Sequence, residues 1–385
     1  MINISADKCC GCAACENACP TKAIQMLPNK EGFKYPCVES ALCCNCGKCE
    51  KACPIITPPK LSEKIEACFV AQSKDENVLN ESTSGGFVDS LCKYVLEVKK
   101  GYVCGVAFDS DFMPHHKIVD SYEQAKAFRN SKYAQSNIGT VYRDILVLLK
   151  AEKTVMFIGT PCQVAGLMAY LGRDYENLIT VDLVCRSIPS PKLWRDYLDW
   201  QEKRYGSKIK SVYCRKKTYG YHSGALEITF ENGKRYKGSN RIDYFMKSFH
   251  KDICSRKSCY ECNFKTKNRC SDFTVFDSWR PKAAAVDLIT DNDRGFSSVI
   301  LHKHNRKKIV EDLNDLAIFD ADVNILLEYT GGMAVKSIVK PSVREDFYVY
   351  LDDYGFLKTV KKYTKVSFMD FFIEFLKPIK YRINK

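Results

Sequence analysis

A chain of 385 residues, 45% of them hydrophobic, is long enough for two or three domains with cores of their own. Its 21 cysteines follow a polar start, Met1 to Lys8, with no apolar leader, which argues against a secreted disulfide scaffold and for a reducing, cytoplasmic setting. The formal charge of +13 is dispersed over short clusters (Lys216-Lys217, Lys265 to Arg269, Arg306 to Lys308) that read as solvated surface. None is interleaved with a nucleic-acid motif, so no nucleic-acid partner is expected, while a basic excess favours an acidic electron carrier through steering.

The run Cys9, Cys12, Cys15, Cys19-Pro20 recurs at identical spacing as Cys43, Cys46, Cys49, Cys53-Pro54. Two intervening residues let a tight loop aim successive sulfurs at neighbouring irons, and the proline turns the chain away after the last ligand. This is the bacterial ferredoxin run, in which the fourth cysteine of each copy crosses to the other cluster. It predicts two 4Fe-4S clusters: Cys9, Cys12, Cys15 and Cys53 on one, and Cys43, Cys46, Cys49 and Cys19 on the other. Cysteines this close rarely achieve disulfide geometry, and zinc needs four ligands rather than a doubled set of eight. Cys10, Cys37 and Cys44 fall outside the pattern and read as small buried packing residues. Ala23 to Leu27 and Gly32 to Val38 look like a hairpin. Residues 1–60 therefore form a small ferredoxin-like βαββαβ-type module, closed by the stiff exit Thr57-Pro58-Pro59-Lys60.

A larger mixed α/β unit follows in two parts, 61–147 and 148–320, making the chain α/β in class and α+β overall. Ala67 to Ala71 is an apolar run. Glu81 to Gly86 then opens a helix over Phe87 to Val98, where Phe87, Val88, Leu91, Val95 and Leu96 recur at helical spacing. A Ser/Thr/Gly loop before a helix suits a phosphate, although Ser and Gly are also ordinary caps. Gly101 to Phe108 continues as a strand, and Lys132 to Ser136 is a polar loop that either contacts a cofactor or caps a helix.

The uncharged stretch Thr154 to Gly172 contains Pro161, Gln163 and three glycines, and reads as strand, turn and helix rather than a membrane span. Val155 to Ile158 and Ile179 to Val184 are then parallel strands joined by a crossover helix. Cys162 and Cys185 sit at equivalent strand ends, where ligands of such sheets bind. For Cys254, Cys259, Cys262 and Cys270 three readings compete: a local zinc site, the start of a plant-type ferredoxin pattern, or half of a cluster that Cys162 and Cys185 complete. His302 and His304 read as surface residues on a basic strand end. Residues 321–385 form a helical extension in which the apolar stretch Val366 to Leu376 packs on the body, with a peripheral membrane contact as the minority reading, before the basic tail 377–385.

Several motifs together resemble the coenzyme F-420 hydrogenase/dehydrogenase beta subunit family, which includes 7-hydroxymethyl chlorophyll a reductase. They are Ser84-Gly85-Gly86, Ser131 to Ser136, Gly159-Thr160-Pro161-Cys162-Gln163, Asp182-Leu183-Val184-Cys185, and Arg256 to Phe264 followed by Arg269 to Trp279. The resemblance implies an iron–sulfur flavoprotein oxidoreductase passing electrons between a ferredoxin-type carrier and a small two-electron substrate. It implies a third 4Fe-4S cluster on Cys162, Cys185, Cys259 and Cys262, leaving Cys254 and Cys270 as packing. It also implies an FAD, with FMN as the alternative, for which Ser84, Gly85, Gly86, Lys132, Tyr133, Gln135, Ser136 and Thr160 are the expected contacts. A homo-oligomer or a subunit of a redox complex is expected. Two departures stand out: Arg186-Ser187 follow Cys185 where relatives commonly carry His-Gly, and Asp277-Ser278-Trp279-Arg280 replaces a typical Asp-Phe-Trp-Gly. They keep open the alternative of an electron-transfer subunit or adaptor with no substrate of its own.

Overall fold

The computed structural model describes residues 1–288, 290–329 and 332–383. The N-terminal module consists of a helix Ala14–Ala18, an antiparallel hairpin of β1 (Ile24–Pro28) and β2 (Lys34–Val38), and a helix Lys48–Lys51, with irregular flanks. Its duplication is written in the backbone as well as in the cysteines. Left-handed residues fall at Gly11 and Ala13 in the first copy and at Asn45 and Gly47 in the second. These positions fold the chain back around the second cysteine of each run, which is what brings three closely spaced sulfurs onto one side of a loop.

The body is organised by one large mixed sheet, with strands β3 (Ala67–Ser73), β4 (Tyr102–Phe108), β5 (Pro114–Val119), β6 (Val155–Gly159) and β7 (Leu178–Leu183). A separate antiparallel three-stranded sheet holds β8 (Ile209–Lys216), β9 (Ala225–Phe230) and β10 (Arg235–Gly238), and the large sheet is completed by β11 (Phe273–Ser278), β12 (Phe296–Leu301) and β13 (Leu316–Asp320). The large sheet runs β13-β3-β12-β11-β7-β6-β4-β5. Its centre, β11-β7-β6-β4, is parallel, and the remaining pairs are antiparallel. Every residue of β6 is buried, as a central parallel strand requires. The helix Pro161–Leu171 crosses from β6 to β7. It starts with proline inside the first turn and a capping box in which Thr160 and Gln163 satisfy each other's backbone amides.

The N-terminal module shares its core with this sheet. Cys12, Ala14, Cys15, Ile24, Met26 and Cys53 pack in one apolar cluster with Tyr142, Phe157, Val164 and Leu167. Arg143 donates to the carbonyls of Asn17 (2.7 Å) and Glu16 (2.5 Å), while Asn17 donates to the Gly139 carbonyl at 2.9 Å. On the opposite flank Arg344, fully buried at the start of the helix Arg344–Thr364, grips both oxygens of Glu31 at 2.6 Å and donates to the Ser255 carbonyl.

Several expectations are overturned by tertiary contacts. His302 is buried, not superficial, because it continues β12 inward and bonds to Thr274 (2.8 Å) and Ser62 (3.3 Å). Within the basic clusters, Arg306 is buried against the carbonyls of Glu176 and Leu178, Arg269 against those of Phe264 and Ala334, and Lys217 is half-buried among three carbonyls. Carbonyls at strand and loop ends need donors, and long cations reach them. Cys37 and Cys44 are exposed rather than buried. The helix Phe368–Ile383 is held through polar links, Lys247 to Asp370 and Ser239 to Glu374, and leaves Phe368, Phe371, Phe372 and Phe375 exposed rather than packed on the body. The end of the basic tail, residues 384–385, lies outside the described residues. No described helix is long and apolar enough to cross a membrane.

Two outcomes follow. A Cβ on Gly166 would lie 2.8 Å from Cys12 Cβ and 2.9 Å from its Sγ, so Gly166→Ala should cost about 1–3 kcal/mol and loosen the N-terminal module, read as a lower melting temperature and faster proteolysis between residues 57 and 67. Burial holds His302 down to about 3 from its ordinary 6.5. The unfolded chain therefore takes up a proton below pH 6.5 that the folded chain refuses, and stability falls as pH drops. Between pH 6.5 and 5, urea midpoints of the native chain should fall more steeply than those of His302→Gln, by up to about 1.4 kcal/mol per pH unit.

Candidate metal centres

Two cavities in the N-terminal module are lined by thiols. One is bounded by Cys43, Cys46 and Cys49 together with Cys19, and by Ile2, Ile24 and Val38. The other is bounded by Cys9, Cys12 and Cys15 together with Cys53, and by Ile2, Ile4, Met26 and Ile55. In each, three sulfurs come from one copy of the run and the fourth from the other. The first set lies toward solvent: Cys46 is exposed and Cys19, Cys43 and Cys49 are partly so. The Lys48 backbone amide lowers the Cys46 thiol below its ordinary value. In the second set all four cysteines are buried. Desolvation, with Cys9 and Cys53 close by, pushes Cys15 up to about 12.

A third group gathers from three places in the body. Cys162 lies in the first turn of the helix after β6, Cys185 just beyond β7, and Cys259 and Cys262 in the loop that leads to β11. Burial is the main cause holding Cys185 well above the usual thiol value, and Cys259, Cys162 and Cys262 each add to it. Cys259 is pushed up to about 12, again chiefly by burial, with Cys262 and Cys162 contributing. Four thiols within reach of one another's charge resist ionisation unless a cationic group lies among them. Positive groups do approach: Lys265 bonds to the Cys185 and Met333 carbonyls and opposes the rise at Cys185 and Cys262. The helix start at Cys162 adds the positive end of a dipole. The three donor sets carry thiols only, one open to solvent and two in apolar or cationic surroundings, and thiols of this kind suit an iron–sulfur cluster. Cys254 and Cys270 belong instead to apolar cores.

Cys10 packs against the apolar cluster that holds Cys12 and Cys15, and its thiol and that of Cys162 lie close enough to raise or lower one another's ionisation. Arg256, which pattern reading passed over, stands at the same junction. The signal for it was a cation three residues before Cys259, inside a motif whose cysteines drew the attention.

The residues expected around a flavin divide into two sets. Ser84, Gly85 and Gly86 close onto the sheet: Ser84 Oγ meets Ser297 Oγ at 3.0 Å, the Gly85 amide donates to the same hydroxyl, and Lys217 donates to the Ser84 carbonyl at 2.6 Å. A Cβ at Gly85 would collide with the Ala71 carbonyl. Thr83 reaches Ser131 (3.2 Å), which leads to Lys132 and Tyr133. Lys132 donates to the carbonyls of Arg129 and Asn130, and burial lowers it to about 8. Tyr133 lies against Phe249 and beside Arg215, whose Nη2 is buried without a hydrogen bond. Gln135 and Thr160 face the Cys10 and Cys162 side instead, and Ser136 is buried against His116 and Gln163. Gln135 donates to the Cys10 carbonyl (3.2 Å), Gln163 links to Ser136 (2.9 Å), and Thr160 Oγ1 is 3.2 Å from Cys162 Sγ. Arg186 is locked to Asp252 by two contacts of 2.8 and 2.7 Å, and Asp277 receives Arg215 at 2.5 Å.

Two family models match parts of the chain. Residues 152–322 match the family model that describes the C terminus of the coenzyme F420 hydrogenase/dehydrogenase beta subunit, and residues 2–25 match that of the 4Fe-4S binding domain. No curated protein matches. Among solved structures, a chain of the F420-reducing [NiFe] hydrogenase complex from Methanosarcina barkeri, studied by xenon derivatization, is similar at 19% identity and a TM-score of 0.46, with 78% of this chain and 91% of that chain covered. Residues 152–322 are thus similar to the C terminus of the coenzyme F420 hydrogenase/dehydrogenase beta subunit, and the N-terminal end to the 4Fe-4S binding domain.

Proposed function

We propose that this chain takes electrons singly from a ferredoxin-type carrier, conducts them inward, and delivers them in pairs to a small organic substrate. The observation that carries the reading is the graded run of thiols: a set open to solvent, a buried set beside it, the Cys10 contact, and the inner group. In this reading Cys43, Cys46, Cys49 and Cys19 hold the cluster that meets the carrier. Cys9, Cys12, Cys15 and Cys53 hold the next, and Cys162, Cys185, Cys259 and Cys262 the third. A flavin, FAD or FMN, supplies the change from one-electron to two-electron transfer when bound. Ser84, Gly85, Gly86, Lys132 and Tyr133 would hold it, and the unsatisfied Nη2 of Arg215 beside Tyr133 offers an acceptor atom a buried donor. Gln135 and Thr160 would act from the thiol side of such a site, with Ser136 behind them against Gln163.

A second reading has one observation in its favour. Arg186, at a position where relatives commonly carry histidine, is bound to Asp252 and the His250 carbonyl and offers no proton-transfer group. An electron-transfer subunit that hands its electrons to a partner enzyme needs none. Obligate co-purification with a catalytic partner favours this reading, and reduction of a substrate by the chain alone favours the first.

Anaerobically reconstituted protein is expected to contain about twelve irons per chain and a bound flavin. Cys162→Ala and Cys259→Ala should each lower the iron content to about eight while leaving ferredoxin-like absorption. Iron near eight in the unsubstituted chain, with no flavin, would sink the proposal.

A further inference from the structure

Arg256 is among the largest fully buried side chains, 1% exposed, and its guanidinium closes over the N-terminal module. Its Nε donates to the Cys9 carbonyl at 2.7 Å and its Nη2 to the Lys34 carbonyl at 3.0 Å, and Nη2 also lies 3.6 Å from Cys9 Sγ. Gln135 receives Nη1 at 3.0 Å, and the Tyr35 ring lies 4.1 Å from the guanidinium carbon. The backbone on both sides is arranged for this contact. Gly11 is in the left-handed region at φ +71, and a Cβ there would lie 2.6 Å from Gln135 Nε2 and 2.8 Å from Arg256 Nη1. The Arg256 amide is itself anchored on the Ile188 carbonyl, and its carbonyl accepts from the Cys259 amide. The same charge favours the thiolate forms of Cys162 and Cys259, so it stands between two thiol sets. Among the described residues no buried cation meets the solvent-facing set: its Cys19 and Cys43 sulfurs meet the neutral side chains of Thr21 and Asn45.

We propose that Arg256 is a positioning residue that raises the reduction potential of the cluster held by Cys9, Cys12, Cys15 and Cys53. Burial opposes adding negative charge to a cluster, because a low-dielectric surrounding stabilises charge poorly. A fixed cation donating toward a ligand sulfur opposes that penalty, and hydrogen bonds to ligand sulfurs are among the quantities that set cluster potentials. The step concerned is a one-electron transfer: the ferredoxin-type carrier is oxidised, the cluster is reduced, and the guanidinium balances the added charge without a proton moving. The inference rests on the cluster assignments proposed above.

The test is a potentiometric titration, followed by electron paramagnetic resonance, of the anaerobically reconstituted full chain and of Arg256→Gln and Arg256→Lys. With Arg256→Gln, one midpoint should shift clearly negative, that of the third cluster should shift less in the same direction, and the remaining one should stay. Arg256→Lys, which keeps the charge, should recover part of the shift. In the native chain grown with guanidino-15N arginine, the cluster with the shifting midpoint should show coupling to arginine nitrogen. That measurement stands even if a variant fails to fold. Unchanged midpoints at full iron content, equal shifts of all three, or no arginine nitrogen coupled to any cluster would each overturn the role of Arg256. Native protein that binds no iron overturns the cluster assignments as well.

Discussion

Thiols brought together in a protein interior repel as soon as they ionise, and this chain brings twelve of them into three adjoining groups. Cys15, Cys185 and Cys259 are held above the ordinary thiol range by desolvation first and by their neighbours second. A cationic cluster core answers that repulsion when bound. The polypeptide contributes the rest: Arg256 over Cys9, Lys265 beside Cys185, and the helix start at Cys162. Those charges are in turn fixed by carbonyls and aromatic faces, which is why so many cations of this basic chain point inward.

The same constraint binds the N-terminal module to the body. Gly166 lets a helix of the large sheet lie directly on Cys12, Gln135 and Arg256 reach from the body into the Cys9–Cys12 loop, and Arg143 seals the helix Ala14–Ala18. Sequence places a stiff proline pair between the two units, and the chain there is a connector. Contact is made elsewhere, through residues 100 or more positions apart.

What could be read from sequence was local. The doubled cysteine run, the hairpin between its copies, and the β6–helix–β7 unit each depend on spacing within a few dozen residues, and each was legible. Cys185 and Cys162 at neighbouring strand ends followed from the parallel crossover. What escaped was set by long-range packing. Cys10 looked like filler because nothing in its neighbours indicates that Cys162 lies across from it. His302 and Arg306 looked superficial because polarity predicts exposure only when no carbonyl or hydroxyl waits inside. The phenylalanines after residue 367 looked like a packed face because periodicity identifies an apolar stripe but not whether anything covers it.

Arg344 holds Glu31 from the far end of the chain. During synthesis the cysteines of the N-terminal module emerge before the arginine that clamps this module, which follows Cys53 by 291 residues. The clasp therefore closes after the module's own loops have been made. Until it does, Glu31 on that flank of the module lacks the partner that the folded protein gives it.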